Sequence, residues 1–120
     1  MTTALSTGHV GLNVADLDRS VEFYRRALGF EQLTAGVEGP RRWAFLGLDG
    51  AVMITLWQQS AGEFSADTPG LHHLSFQVGT IEEVRTIQAR LRDLAVEFAH
   101  DGVVAHREGA SSGGHLLHRS

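Results

Sequence analysis

Apolar and polar residues alternate over "HVGLNV". Val10, Leu12 and Val14 fall on one side of an extended chain, with His9, Gly11 and Asn13 on the other. The pattern predicts a strand over about 7–14. After Asp16 the period changes: Leu17, Val21, Tyr24 and Leu28 recur at helical spacing. Asp16 is placed to cap the helix, Asp18 suits the positive end of its dipole, and Gly29 ends it. Three β-like runs follow, at about 30–36, 42–48 and 51–58, separated by the turn signals "GVEGP" and "LDG". Another strand is expected over 71–78. Thr80 and Glu83 then form a capping box, and Val84, Ile87, Leu91 and Leu94 give the next helix its apolar stripe. "VEFAHDG" reads as one further strand.

The two halves repeat each other. His9 and His73, Val14 and Val78, and Leu17 and Ile81 share one offset, and each member sits at the same point of a strand-then-capped-helix unit. A period this long is too great for a solenoid and describes a duplicated half-domain. The chain therefore reads as an α+β single domain, 1–120, of two βαβββ-type modules at about 7–58 and 71–120. The second is short of strands at its C-terminal end.

Composition removes several function classes. At 120 residues the chain supports one core, since a protein of this size buries roughly two-thirds of its unfolded surface. Net charge is −4, and the basic residues cluster no further than Arg25-Arg26 and Arg41-Arg42. Nucleic acid needs a concentrated cationic footprint, so it is not an expected partner. Without cysteine there is no disulfide, thiol nucleophile or thiolate-bound zinc. No apolar run reaches the length of a membrane span, and "MTTALSTGHV" lacks the basic and apolar segments of an export signal. A cytoplasmic protein with no membrane partner is expected.

The histidines are where chemistry enters. One histidine on a strand is most often structural or solvated, because imidazole tolerates half-burial. Two at equivalent points of a repeat are different. In "LHHLSFQV", alternation gives His72, Leu74, Phe76 and Val78 to one face and His73, Ser75 and Gln77 to the other. His73 is thus expected on the polar face, as His9 is in the first copy. If the copies pair about a pseudo-twofold axis, His9 and His73 converge on one cleft as imidazole metal ligands. His72, His100 and His106 have no repeat partner and are read as structural or solvated.

"GHVGLNVADLDRSVEFYRRALGF", "GLHHLSFQV" and "IEEVRTIQARLRDLAVEF" together resemble the vicinal oxygen chelate superfamily, over about residues 7–114. That group includes glyoxalase I, extradiol dioxygenases, and fosfomycin and bleomycin resistance proteins. The resemblance implies paired βαβββ modules forming a cup-shaped mixed sheet around a divalent metal (Fe, Mn, Zn or Ni). His9 and His73 match the first-strand ligand positions. Thr55 stands where glyoxalases carry a glutamate ligand, which favours instead the His, His, Glu set of extradiol dioxygenases and fosfomycin-type transferases. Their glutamate follows a segment like "DPDG", and none is present here.

The end of the chain suggests why. One nucleotide inserted before codons for Gly-Ile-Phe-Phe-Thr-Asp-Pro yields codons for Gly-His-Leu-Leu-His-Arg-Ser, the residues Gly114 to Ser120. A shifted frame is the expected origin of this tail, with a natural terminus or a vector scar as the alternatives.

The leading expectation is a metal-dependent small-molecule enzyme of glyoxalase or extradiol dioxygenase type, impaired by loss of the glutamate. Trp43, Phe45, Met53, Thr55 and Trp57 are the candidate substrate pocket. The alternative is a metal-free module that sequesters a drug, resembling bleomycin resistance proteins. A homodimer is expected on either reading, because small relatives build each cleft from two chains.

Overall fold

The computed structural model describes residues 4–62, 65, 67–95 and, as backbone alone, 114–118. The chain divides into two compact units, Met1–Phe64 and Ser65–Ser120. The fold class is α+β, as expected; the larger sheet is mixed, as the resemblance implies, and it is open.

The first unit runs β1 (Val10–Asn13), α1 (Leu17–Leu28), β2 (Glu31–Glu38), β3 (Arg41–Leu48) and β4 (Ala51–Gln58). This is the expected β-α-β-β-β order. The sheet order is β1-β4-β3-β2, with β1 parallel to β4 and the other pairs antiparallel. The turn between β3 and β4 has positive φ at both Asp49 and Gly50, which matches the right-handed twist of a tight hairpin.

A helix of 12 residues is marginal in water on its own. Caps and packing hold α1 in place. The Asp16 side chain accepts a hydrogen bond from the Arg19 N–H, and Gly29 closes the other end in the left-handed region at φ 72°. The Gln58 side chain accepts from the Leu17 N–H at 2.7 Å, tying the first turn to the end of β4. Leu17, Val21, Tyr24 and Ala27 are buried, as are Ala44, Leu46, Ile54 and Leu56 on the strands that α1 packs against. Each Leu, Ile or Val removed from water contributes about 1.5–3 kcal/mol, so this layer dominates the unit's stability. The expected stripe ended at Leu28; instead Ala27 is fully buried and Leu28 half-buried. The small side chain lets the last turn approach the sheet.

The second unit contains β5 (Leu74–Val78), α2 (Ile81–Asp93) and β6 (Gly114–His118), with β5 and β6 antiparallel. Thr80 Oγ1 accepts from the Glu83 N–H, as a capping box requires. The Glu83 carboxylate, however, takes the Gly79 N–H rather than that of Thr80. Val84 and Leu91 are buried, and Ile87 and Leu94 half-buried. The expected strand "VEFAHDG", with His100 and His106, lies outside the described residues. The tail pairs along β5, placing His115 opposite Gln77 and His118 opposite Leu74.

Both first strands start later than the apolar alternation suggests, at Val10 rather than Thr7 and at Leu74 rather than Leu71. The histidines therefore stand just ahead of their strands. This matters for His72 and His73. Alternation of faces is enforced along a paired strand, and here pairing begins at Leu74. The two side chains are not driven apart: His72 Nδ1 lies 2.9 Å from His73 Nδ1.

Candidate functional site

In the first unit the sheet face opposite the buried Ala44, Leu46, Ile54 and Leu56 carries the candidate pocket residues. The register sets them side by side. Trp43 pairs with Trp57 and Phe45 with Thr55 across β3 and β4, while Gly11 pairs with Thr55 and Asn13 with Trp57 across β1 and β4. The Trp43 and Trp57 rings lie 5.7 Å apart at 32°, and the Phe45 and Trp57 rings 6.0 Å apart at 59°. Such tilted pairs are the favoured geometry for aromatic quadrupoles. Met53 is half-buried one strand position beyond Ile54.

Thr55 is the exception to this half-exposed surface. It is only 3% exposed, and its hydroxyl accepts the Trp57 indole N–H at 2.9 Å. The bond satisfies the indole's polar atom within the sheet. Two glycines make room for these side chains, Gly36 for the Trp43 ring and Gly11 for the Thr55 hydroxyl. A Cβ at Gly36 would collide with the Trp43 indole, and one at Gly11 would come within 3.1 Å of Thr55 Oγ1. A shallow depression of about 310 Å³ opens beside them, lined by Gly11, Leu12, Asn13, Trp57 and Gln59. Its rim carries a long hydrogen bond, 3.4 Å, from Gln59 Nε2 to Asn13 Oδ1.

His9 is exposed and stands one residue before β1, at the parity of Gly11 and Asn13. A second depression, of about 330 Å³, has Asp18 and Arg42 in its lining. That hollow is bounded by α1, β2 and β3, and its two charges pair with each other at 3.0 Å. In the second unit His73 is likewise exposed and stands one residue before β5. The His72 and His73 rings are nearly perpendicular, at 83°. Among the described residues no three His, Asp or Glu side chains gather into a metal-holding group.

Alternation places Gly11 and Asn13 on the polar face, and it names the aromatic residues as candidates without deciding between cleft and core. It misses Gln59, which follows the last strand and carries no periodic signal. It also separates His72 from His73, because the strand was extended too far toward the N-terminus.

Residues 6–108 match the family model of the Glyoxalase/Bleomycin resistance protein/Dioxygenase superfamily, and the chain belongs to that superfamily. A solved glyoxylase/bleomycin resistance protein/dioxygenase domain from Frankia sp. EAN1pec is 30% identical, with a TM-score of 0.72 over 81% of this chain and 74% of that one. The fosfomycin resistance protein FosX from Listeria monocytogenes shares the fold. A mutant of it complexed with Mn(II) and 1S,2S-dihydroxypropylphosphonic acid is 20% identical, with a TM-score of 0.62 over 79% of this chain and 73% of that one. Its monoclinic form at pH 6.5 is 21% identical, with a TM-score of 0.65 over 91% and 80%. No curated protein matches the chain. Among the described residues no helix is long and apolar enough to cross a membrane.

Proposed function

We propose that the chain is a divalent-metal-dependent enzyme of the glyoxalase or extradiol dioxygenase type, acting on a small molecule. His9 and His73 supply the imidazole ligands. Trp43, Phe45, Met53, Thr55 and Trp57 form the substrate pocket. The reading rests on the equivalent placement of the two histidines, each exposed and each immediately before the first strand of its unit. Imidazole suits Fe, Mn, Zn or Ni as a donor. A bound ion would polarise substrate oxygens and fix their orientation. The chain's own residues would hold an apolar part of the substrate against the Trp57 and Phe45 rings, and Asn13 and Gln59 would offer hydrogen bonds at the rim.

Two neutral imidazoles fit such an ion as a partial ligand set. No carboxylate completes a group of three among the described residues. Without that negative charge, attraction to a dication in a partly desolvated site is weaker, so affinity and turnover are reduced. A homodimer accords with this reading. Within its unit β1 is a four-residue sheet edge, and unpaired edges favour association.

The aromatic face favours a second reading, a metal-free protein that sequesters a small molecule or drug. Titration of untagged protein with Ni²⁺, Mn²⁺, Zn²⁺ and Fe²⁺ separates the two. The enzyme reading expects binding that is lost in both H9A and H73A. Wild-type protein that takes up none of the four ions supports sequestration instead. Native mass measurement at micromolar concentration checks the dimer, and a monomer refutes it.

A further inference from the structure

We infer that His72 is a positioning residue for His73: its Nδ1 accepts the His73 Nδ1–H and so keeps the lone pair of His73 Nε2 free for a metal ion. The inference rests on the proposed ligand role of His73. It does not rest on that role for its geometry. Two neutral ring nitrogens 2.9 Å apart would set lone pair against lone pair unless one carries a proton, and that separation is a hydrogen-bond length. The ring centroids are 5.2 Å apart. An imidazole centre lies about 1.1 Å from each ring atom, so both nitrogens must sit near the line joining the centres, the alignment a hydrogen bond prefers. The nearly perpendicular planes leave that alignment intact and keep the remaining ring atoms apart.

One proton between the rings allows two arrangements. If His72 donates, His73 holds its hydrogen on Nε2 and has no lone pair left for a ligand bond. If His73 donates, Nε2 is bare. A ligating histidine commonly donates its other N–H to an acceptor that fixes both tautomer and ring orientation. Carboxylates and carbonyls usually fill that role; here the preceding side chain does. In the first unit Gly8 precedes His9, so the preceding residue offers no side chain for this contact. The two proposed ligands therefore differ: the preceding side chain presets His73 and cannot preset His9.

The test uses the intact metal-free chain with ¹⁵N-labelled histidine, because long-range proton–nitrogen couplings distinguish the two tautomers. His73 should carry its hydrogen on Nδ1. In H72A the ratio favouring that tautomer should fall about five-fold, the worth of one net hydrogen bond. Ni²⁺ affinity by calorimetry should fall about tenfold, the lower end for loss of a partner behind a ligand, because the pair is solvent-exposed. H72N offers its amide oxygen where Nδ1 stood and should restore both. Wild-type His73 protonated on Nε2, or an H72A tautomer ratio unchanged, overturns the inference. So does H72N that keeps the tautomer but binds Ni²⁺ as poorly as H72A, since His72 would then itself be a ligand. H73A with undiminished Ni²⁺ affinity sinks the ligand reading separately, while the tautomer measurement still reports on the contact.

Discussion

The indole N–H of Trp57 donates to the hydroxyl of Thr55, two residues earlier on the same strand and 2.9 Å away. Side chains two apart share a face of a strand, so this bond can form only because β4 is extended there. It joins a buried hydroxyl to a half-buried ring. T55V keeps the shape and removes the acceptor. Stability should fall by about 1–2 kcal/mol in urea unfolding, the cost of leaving a part-buried donor unsatisfied. An unchanged midpoint would mean that water reaches the indole N–H.

The paired tryptophans should be visible by spectroscopy. Rings 5.7 Å apart couple their transitions. W43F should abolish the far-ultraviolet circular dichroism couplet of the two indoles and leave the underlying helix signal. G36A should also weaken the couplet, because the new methyl occupies space the Trp43 indole now fills. Overpacking of this kind costs about 1–3 kcal/mol. A couplet that survives both changes would show that it arises elsewhere.

Caps test the two units independently. D16A removes the side chain that accepts the Arg19 N–H, and T80A the one that accepts the Glu83 N–H. Each should cost about 1 kcal/mol. Hydrogen exchange would then locate the loss, in α1 for the first variant and α2 for the second. Protection that falls equally in both helices would mean that the units unfold as one.

The Asp18–Arg42 pair makes the opposite case. Its 3.0 Å separation looks strong, but the side chains are 80% and 39% exposed. Water and salt screen such pairs, and their worth is about 0–1 kcal/mol. R42Q should leave the melting temperature within a degree or two. A large drop would mean that the Arg42 stem matters more than its charge.

H9A and H73A should each leave stability within about 0.5 kcal/mol, because both side chains are exposed. If they share one ion, the double variant should bind Ni²⁺ no worse than either single one. Additive losses in calorimetry would place the histidines at separate ions.

Much of the molecule was legible from local rules. The period change after Asp16, the Asp49-Gly50 turn and the Thr80 cap are written in neighbouring residues, so α1, the β3–β4 hairpin and the start of α2 fall where the pattern puts them. The superfamily was legible for the same reason: its strand-and-helix segments are contiguous. Alternation named Trp43, Phe45, Met53 and Trp57 as cleft candidates but left open whether they face a cleft or the core; the register across strands puts Trp43, Phe45, Thr55 and Trp57 on the face opposite Leu46 and Ile54. What alternation could not assign was anything set by hydrogen bonding between strands. Whether backbone counts as strand depends on a neighbour pairing with it, and that pairing begins at Val10 and Leu74. The contact between His72 and His73 follows from this, against the expected separation. So do the burial of Thr55 and the matching of Gly11 to its hydroxyl and of Gly36 to the Trp43 ring. Periodicity reports which way a side chain points. Only the register across strands decides what it meets there, because partners distant in the chain leave no trace in local spacing.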